Sequence, residues 1–116
     1  MGERVRDSLH ISERMWQDKV EMLALINGWL VDHKTPMRYA SGHVRTTGLP
    51  GMPDLTLIHP GGHGIIYAEL KTEKGRLSDK QINVARALVA NGADYYVWRP
   101  SDIKEVEARL SSWRRR

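Results

Sequence analysis

The chain of 116 residues has no cysteine and no phenylalanine. Without thiols there are no disulfides and no thiolate metal sites, a composition that suits a reducing compartment. Without Phe, the bulk of a core must come from Trp, Tyr, Leu and Ile. No apolar run approaches the roughly 20 residues of a membrane-spanning helix. The opening Met1-Gly2-Glu3-Arg4 carries no apolar signal segment, so a cytoplasmic location with no membrane partner is expected. There is no glycine loop of the phosphate-binding kind, no internal repeat and no low-complexity linker. The length fits a single domain spanning 1–116, with residues 1–10 and 114–116 as flexible tails.

Positive charge is in modest excess. The net charge of +4 and the isoelectric point near 9.6 lean toward a polyanionic partner. Part of the excess sits in Arg114, Arg115 and Arg116, where a basic tail is as readily a solvated end as a binding arm.

The informative stretch runs from Gly51 to Gln81. Asp54 opens the apolar, β-branched run Leu55-Thr56-Leu57-Ile58. His59-Pro60-Gly61-Gly62-His63-Gly64 is dense in turn residues, and Ile65-Ile66-Tyr67-Ala68-Glu69-Leu70 is a second extended run. Paired as an antiparallel hairpin, the two runs set Asp54 opposite or nearly opposite Glu69, where Cβ atoms lie about 4.5–5.5 Å apart. Glu69 and Lys71 project to one face and Leu70 to the other. Two carboxylates and one ammonium then share a patch. Carboxylate oxygens suit a hard cation such as Mg²⁺ or Mn²⁺, and a lysine beside it can orient or deprotonate water or neutralise an anionic transition state. The competing reading makes Asp54 a strand-start residue and Glu69 and Lys71 solvated charges.

Gly51-Met52-Pro53-Asp54, Glu69-Leu70-Lys71 and Gly75-Arg76-Leu77-Ser78 through Gln81, in this order and at this spacing, resemble the virus-type replication-repair nuclease (VRR-NUC) domain of the PD-(D/E)xK nuclease superfamily. The resemblance runs from about Ser12 to about Leu110 and is to the stand-alone phage and bacterial form, found in bacterial or phage-infected cells. It implies a restriction-endonuclease-like α/β fold of mixed α+β character: an αβββαβ core with an added C-terminal helix. It implies Mg²⁺ or Mn²⁺ held by Asp54, Glu69, the Leu70 backbone carbonyl and, through water, Glu13. Lys71 would position or activate the attacking water, with Gln81 facing the same site. Stand-alone members look like homodimers that resolve four-way (Holliday) junctions, and two-fold pairing would cut two strands symmetrically. The first helix and exposed Trp and Tyr residues are the candidates for the dimer surface.

Other readings attach to several of these residues. Ser12 is a good N-cap, with Ile11 and Trp16 at staple positions, and Met15, Trp16, Val20, Leu23 and Ile26 recur at helical spacing to a stop at Asn27-Gly28. Glu13 in that first turn complements the helix dipole whatever else it does. Ser78-Asp79-Lys80-Gln81 is a capping box, so Gln81 has a structural reason to be there. Trp29-Leu30-Val31 reads as a strand ending near His33. The stretch Lys34 to Pro50 reads as a long irregular loop whose Arg38, His43 and Arg45 are candidate DNA contacts, or solvated surface. Lys74 and Arg76, in the polar turn after Lys71, are further candidates. His59 and His63 have a zinc-like spacing but no third or fourth ligand nearby. A helix to about Ala90, a strand at Asp94–Trp98, a turn at Arg99–Asp102 and a last helix bearing Ile103, Val106, Leu110 and Trp113 complete the chain.

The expectation is a divalent-metal-dependent, structure-selective DNA endonuclease acting on branched or duplex DNA. The alternatives are a flap, nicking or weakly selective nuclease, a non-catalytic DNA-binding module, and a scaffold with a fortuitous motif.

Overall fold

The computed structural model describes residues 11–34, 36–38, 40–42, 44–46 and 48–115, and for 36–38, 44–46 and 115 the backbone alone. Helix α1 spans Glu13–Ile26; the Ser12 hydroxyl accepts from the Met15 N–H at 3.1 Å, closing the N-terminus as its residue type dictates. Trp16, Val20 and Ala24 form its buried i, i+4, i+8 row, bordered by Leu23. Met15 and Ile26, expected in that stripe, are instead 61% and 65% exposed. Each lies off the row because successive residues turn by about 100° around the helix.

The main sheet contains β1 (Leu30–His33), β4 (Leu55–Ile58), β5 (Ile65–Leu70) and β6 (Asp94–Trp98) in the order β1-β4-β5-β6. β1 and β5 both run antiparallel to β4, whereas β6 is parallel to β5. A parallel neighbour needs a crossover, and helix α2 (Asp79–Ala90) supplies it. Helix α3 (Ile103–Ser111) follows β6 through a 3₁₀ turn at Pro100–Asp102, which the Asp102 carboxylate caps by accepting from the Arg99 N–H at 2.8 Å. The irregular loop expected at 34–50 contains a separate two-stranded antiparallel ribbon, β2 (Pro36–Arg38) and β3 (Val44–Thr46). Three-residue strands are too short to leave a period in the sequence.

One face of the sheet carries Leu55, Leu57, Ile66, Ala68, Leu70 and Trp98, packed on Trp16, Val20, Ala24, Trp29, Val106 and Leu110 of α1, α3 and their flanks. Trp16, Trp29 and Trp98 are core residues, so none of these three is available to a dimer surface. In a chain without Phe they carry the bulk. Their polar edges are satisfied as burial requires: the Trp16 indole N–H donates to the Trp98 carbonyl and that of Trp29 to the Leu110 carbonyl, both at 2.9 Å. His59 is buried among Trp29, His63 and Trp113, at ring separations of 5.0, 4.7 and 4.6 Å. Burial and the neighbouring His63 lower its pKa, and Nδ1 accepts from the Gly61 N–H at 3.0 Å.

The opposite face of the sheet carries Thr56, Tyr67, Glu69 and Tyr95, as the register and the strand alternation require. Helix α2 packs beside β6 on this side without burying any of its own residues. The face is left partly open, and the site lies there.

Candidate active site

The hairpin register pairs Leu55 with Ala68; one step further along, Asp54 stands opposite Glu69. Asp54 has just left the strand, so its backbone no longer extends the ladder to Leu70. Its Oδ2 instead accepts the Leu70 N–H at 2.8 Å. The N–H and C=O of a strand residue point to the same edge, so the Leu70 carbonyl is aimed toward Asp54 as well.

Glu69 is only 1% exposed, and its Oε2 makes no hydrogen bond. Burial, then a hydrogen bond to Asp54 and the Asp54 charge, raise its pKa to about 8, against the pull of Lys34 and Lys71. A buried carboxylate oxygen without a partner is costly and needs a reason. Two oxygen-donor carboxylates and a backbone carbonyl converging there match what a hard divalent cation takes. The donor set present fits Mg²⁺ or Mn²⁺. Lys71, half-buried at the end of β5, adds its ammonium beside them, and its N–H donates to the Trp98 carbonyl at 3.1 Å.

The other expected site residues are distributed differently. Glu13 is exposed on α1 and lines a groove with Gln17, Glu21, His33 and Lys34. Among the described residues no third acid or histidine joins Asp54 and Glu69 as a direct metal ligand, so Glu13 stands apart from the pair. Gln81 forms the capping box in full: its N–H donates to Ser78 Oγ at 3.2 Å and its Oε1 accepts the Ser78 N–H at 2.9 Å. That commits its carboxamide oxygen to the cap and leaves only the amide nitrogen free for the site. Lys74 and Arg76 are exposed on the turn after Lys71. The Arg38 and Arg45 side chains and the whole of His43 lie outside the described residues.

Two residues near the pair escaped the sequence reading. Lys34 follows β1, donates its N–H to the Asp54 carbonyl at 3.2 Å, and pulls on Glu69 more strongly than Lys71 does. Tyr95 reaches the pair from β6; its hydroxyl is buried without a partner, and burial followed by the charges of Glu69 and Asp54 raises its pKa to about 12. Both arrive through strand neighbours remote in sequence. Only the turn-dense loop ahead of Asp54 hinted that Lys34 could come back to it.

A mixed sheet that brings an Asp and a Glu together from adjacent antiparallel strands, with a Lys two residues beyond the Glu, has the plan of a PD-(D/E)xK nuclease. The VRR-NUC domain model matches residues 33–102, more than half of the chain. The chain belongs to the VRR-NUC family and is a nuclease of that type. A solved structure described as a VRR_NUC domain shares the fold, with a TM-score of 0.62 at 24% identity over 87% of this chain and 96% of that one. None of the curated proteins matches significantly.

Proposed function

We propose that the protein is a divalent-metal-dependent DNA endonuclease that resolves four-way junctions as a homodimer. The observation that carries the metal-dependent reading is the Asp54–Glu69 pair, in which Glu69 is buried and its Oε2 has no hydrogen-bond partner. Asp54, Glu69 and the Leu70 carbonyl would hold Mg²⁺ or Mn²⁺. When bound, the ion supplies positive charge at the scissile phosphate and acidifies water. Lys71 orients the attacking water and offsets the charge that builds on phosphate oxygens during in-line attack. Leu70 N–H fixes Asp54 in place, so the carboxylate is set before substrate arrives. Glu13, one groove away, reaches the site only through intervening water.

The junction and dimer readings rest on resemblance and on surface. One small sheet face offers little area to a branched substrate. On α1, Met15, Met22, Leu25 and Ile26 are between 61% and 65% exposed, an apolar surface suited to a second copy.

The deciding experiment is cleavage of a labelled four-way junction beside a linear duplex, a flap and a single strand, with Mg²⁺, Mn²⁺ or EDTA. Paired symmetric nicks confined to the junction, and abolished by EDTA, are expected. Asp54→Ala and Glu69→Ala should each lose cleavage while binding the junction as well as or better than wild type. Cleavage of every substrate would leave a nuclease of low selectivity and remove the resolvase reading. Full activity in either alanine variant would remove the site.

A further inference from the structure

Lys34 and Lys71 flank Asp54 from opposite sides. Strand β4 lies between β1 and β5; Lys34 leaves the end of β1 and Lys71 the end of β5. The Lys34 backbone is tied to Asp54 by its N–H, and its charge reaches across β4 to Glu69. Among the described residues it makes no ion pair; the salt bridge found there joins Arg109 to Asp94.

Two grooves meet at this lysine. One runs along α1 past Glu13, Arg14, Asp18 and Glu21, and the other runs past Asp32, Gly48, Met52 and Pro53 to Asp54; His33 and Lys34 form the wall they share. Apart from the shared Lys34, the first groove sets three acids against the single Arg14, a net negative lining that disfavours a polyanion. The second leads directly to Asp54, and half-buried Lys34 stands at its border with the first. A cation held there without a carboxylate partner, beside two acids that disfavour an approaching phosphate, is placed to compensate for them.

We infer that Lys34 is a phosphate-binding residue, holding a non-scissile backbone phosphate of the DNA strand as it enters the groove that leads to Asp54. The inference rests on the nuclease reading and adds to it a substrate contact outside the Asp54, Glu69 and Lys71 set.

The test uses the full chain and a fluorescently labelled four-way junction. Binding is measured in EDTA across a potassium chloride series, and cleavage is measured in Mn²⁺, for wild type, Lys34→Ala, Lys34→Arg and Asp54→Ala. Lys34→Ala should weaken metal-free binding and reduce the slope of log affinity against log salt by about 1, the loss of a single phosphate contact. It should raise KM more than it lowers kcat, and Lys34→Arg should restore both affinity and slope. Lys34→Met, which keeps the aliphatic stem, replaces the alanine variant if that one fails to fold. Wild-type affinity and slope in Lys34→Ala would overturn the inference, as would a fall in kcat with affinity unchanged. If Asp54→Ala is inactive yet binds while the Lys34 variants match wild type, Lys34 alone loses its role. If wild type neither binds nor cleaves DNA, the nuclease reading and the inference fall together.

Discussion

Gly51 sits where no side chain fits. Its φ of 92° lies in the left-handed region, and a Cβ there would collide with the Lys80 carbonyl in the first turn of α2. This close approach packs Gly51, three residues ahead of Asp54, against the helix N-terminus. Gly51→Ala should cost about 1–3 kcal/mol or more, from the strained backbone and the clash. A lowered melting temperature together with reduced turnover would confirm it. Glu69 gives a pH prediction. Its carboxyl binds a proton in the folded state up to about pH 8 but only to about 4.5 when unfolded. Between those values the native state holds more protons, so metal-free stability should fall as pH rises through that window. Thermal melts from pH 5 to 8 in EDTA should show the decline, and Glu69→Gln should flatten it. Binding of Mn²⁺ at pH 7 should release protons in wild type, read by calorimetry in buffers of different ionisation enthalpy.

At the scale of elements, the turn after Lys71 is held from outside. The Arg99 guanidinium, at the end of β6, donates through Nη1 to the carbonyls of Thr72 at 2.5 Å, Gly75 at 2.7 Å and Glu73 at 3.3 Å. The Glu73 carboxylate in turn accepts from the Ser101 N–H and Oγ at 2.6 and 3.0 Å. Turn and 3₁₀ segment are therefore one unit, and Arg99 positions the exit of β5 on which Lys71 rides. Arg99→Ala should reduce kcat on the order of tenfold to a hundredfold by misplacing Lys71. Junction affinity should change little, and Arg99→Lys, which cannot present the planar fork, should restore only part. An equal loss of affinity in both variants would point to a direct DNA contact instead. The strands themselves were legible: β4, β5 and their turn followed from alternation and a glycine-rich break, and the Ser78 box marked the start of α2. The β2–β3 ribbon was not, because three residues are too few to carry a period.

For the whole molecule, the proposed dimer has the largest consequence. The apolar surface on α1 includes Met15 and Ile26, which helical spacing placed in the core and the fold left outside, beside the exposed Met22 and Leu25. Sedimentation should report two copies for wild type and one for the double variant Met22→Glu, Ile26→Glu. That variant should turn paired junction nicks into single ones while keeping its fold. A monomeric wild type that still makes paired nicks would disprove the dimer.

The strongest signals in the chain were local, and they carried far. Asp54 and Glu69 meet because two short strands joined by a glycine-rich turn have one register that keeps Leu55, Leu57, Ile66 and Ala68 on the buried face. That constraint can be read from spacing alone. Lys71 follows from the period of two, and the Gln81 cap from four consecutive residues. Long-range neighbours could not be read this way. Lys34 reaches Asp54 because β1 joins the free edge of β4, and Tyr95 reaches the acids because β6 adds parallel to β5 after a helical crossover. Side-chain period says which way a residue points, not which strand lies beside it. Strand order is decided by how the helices cover the sheet, and only the folded chain shows it.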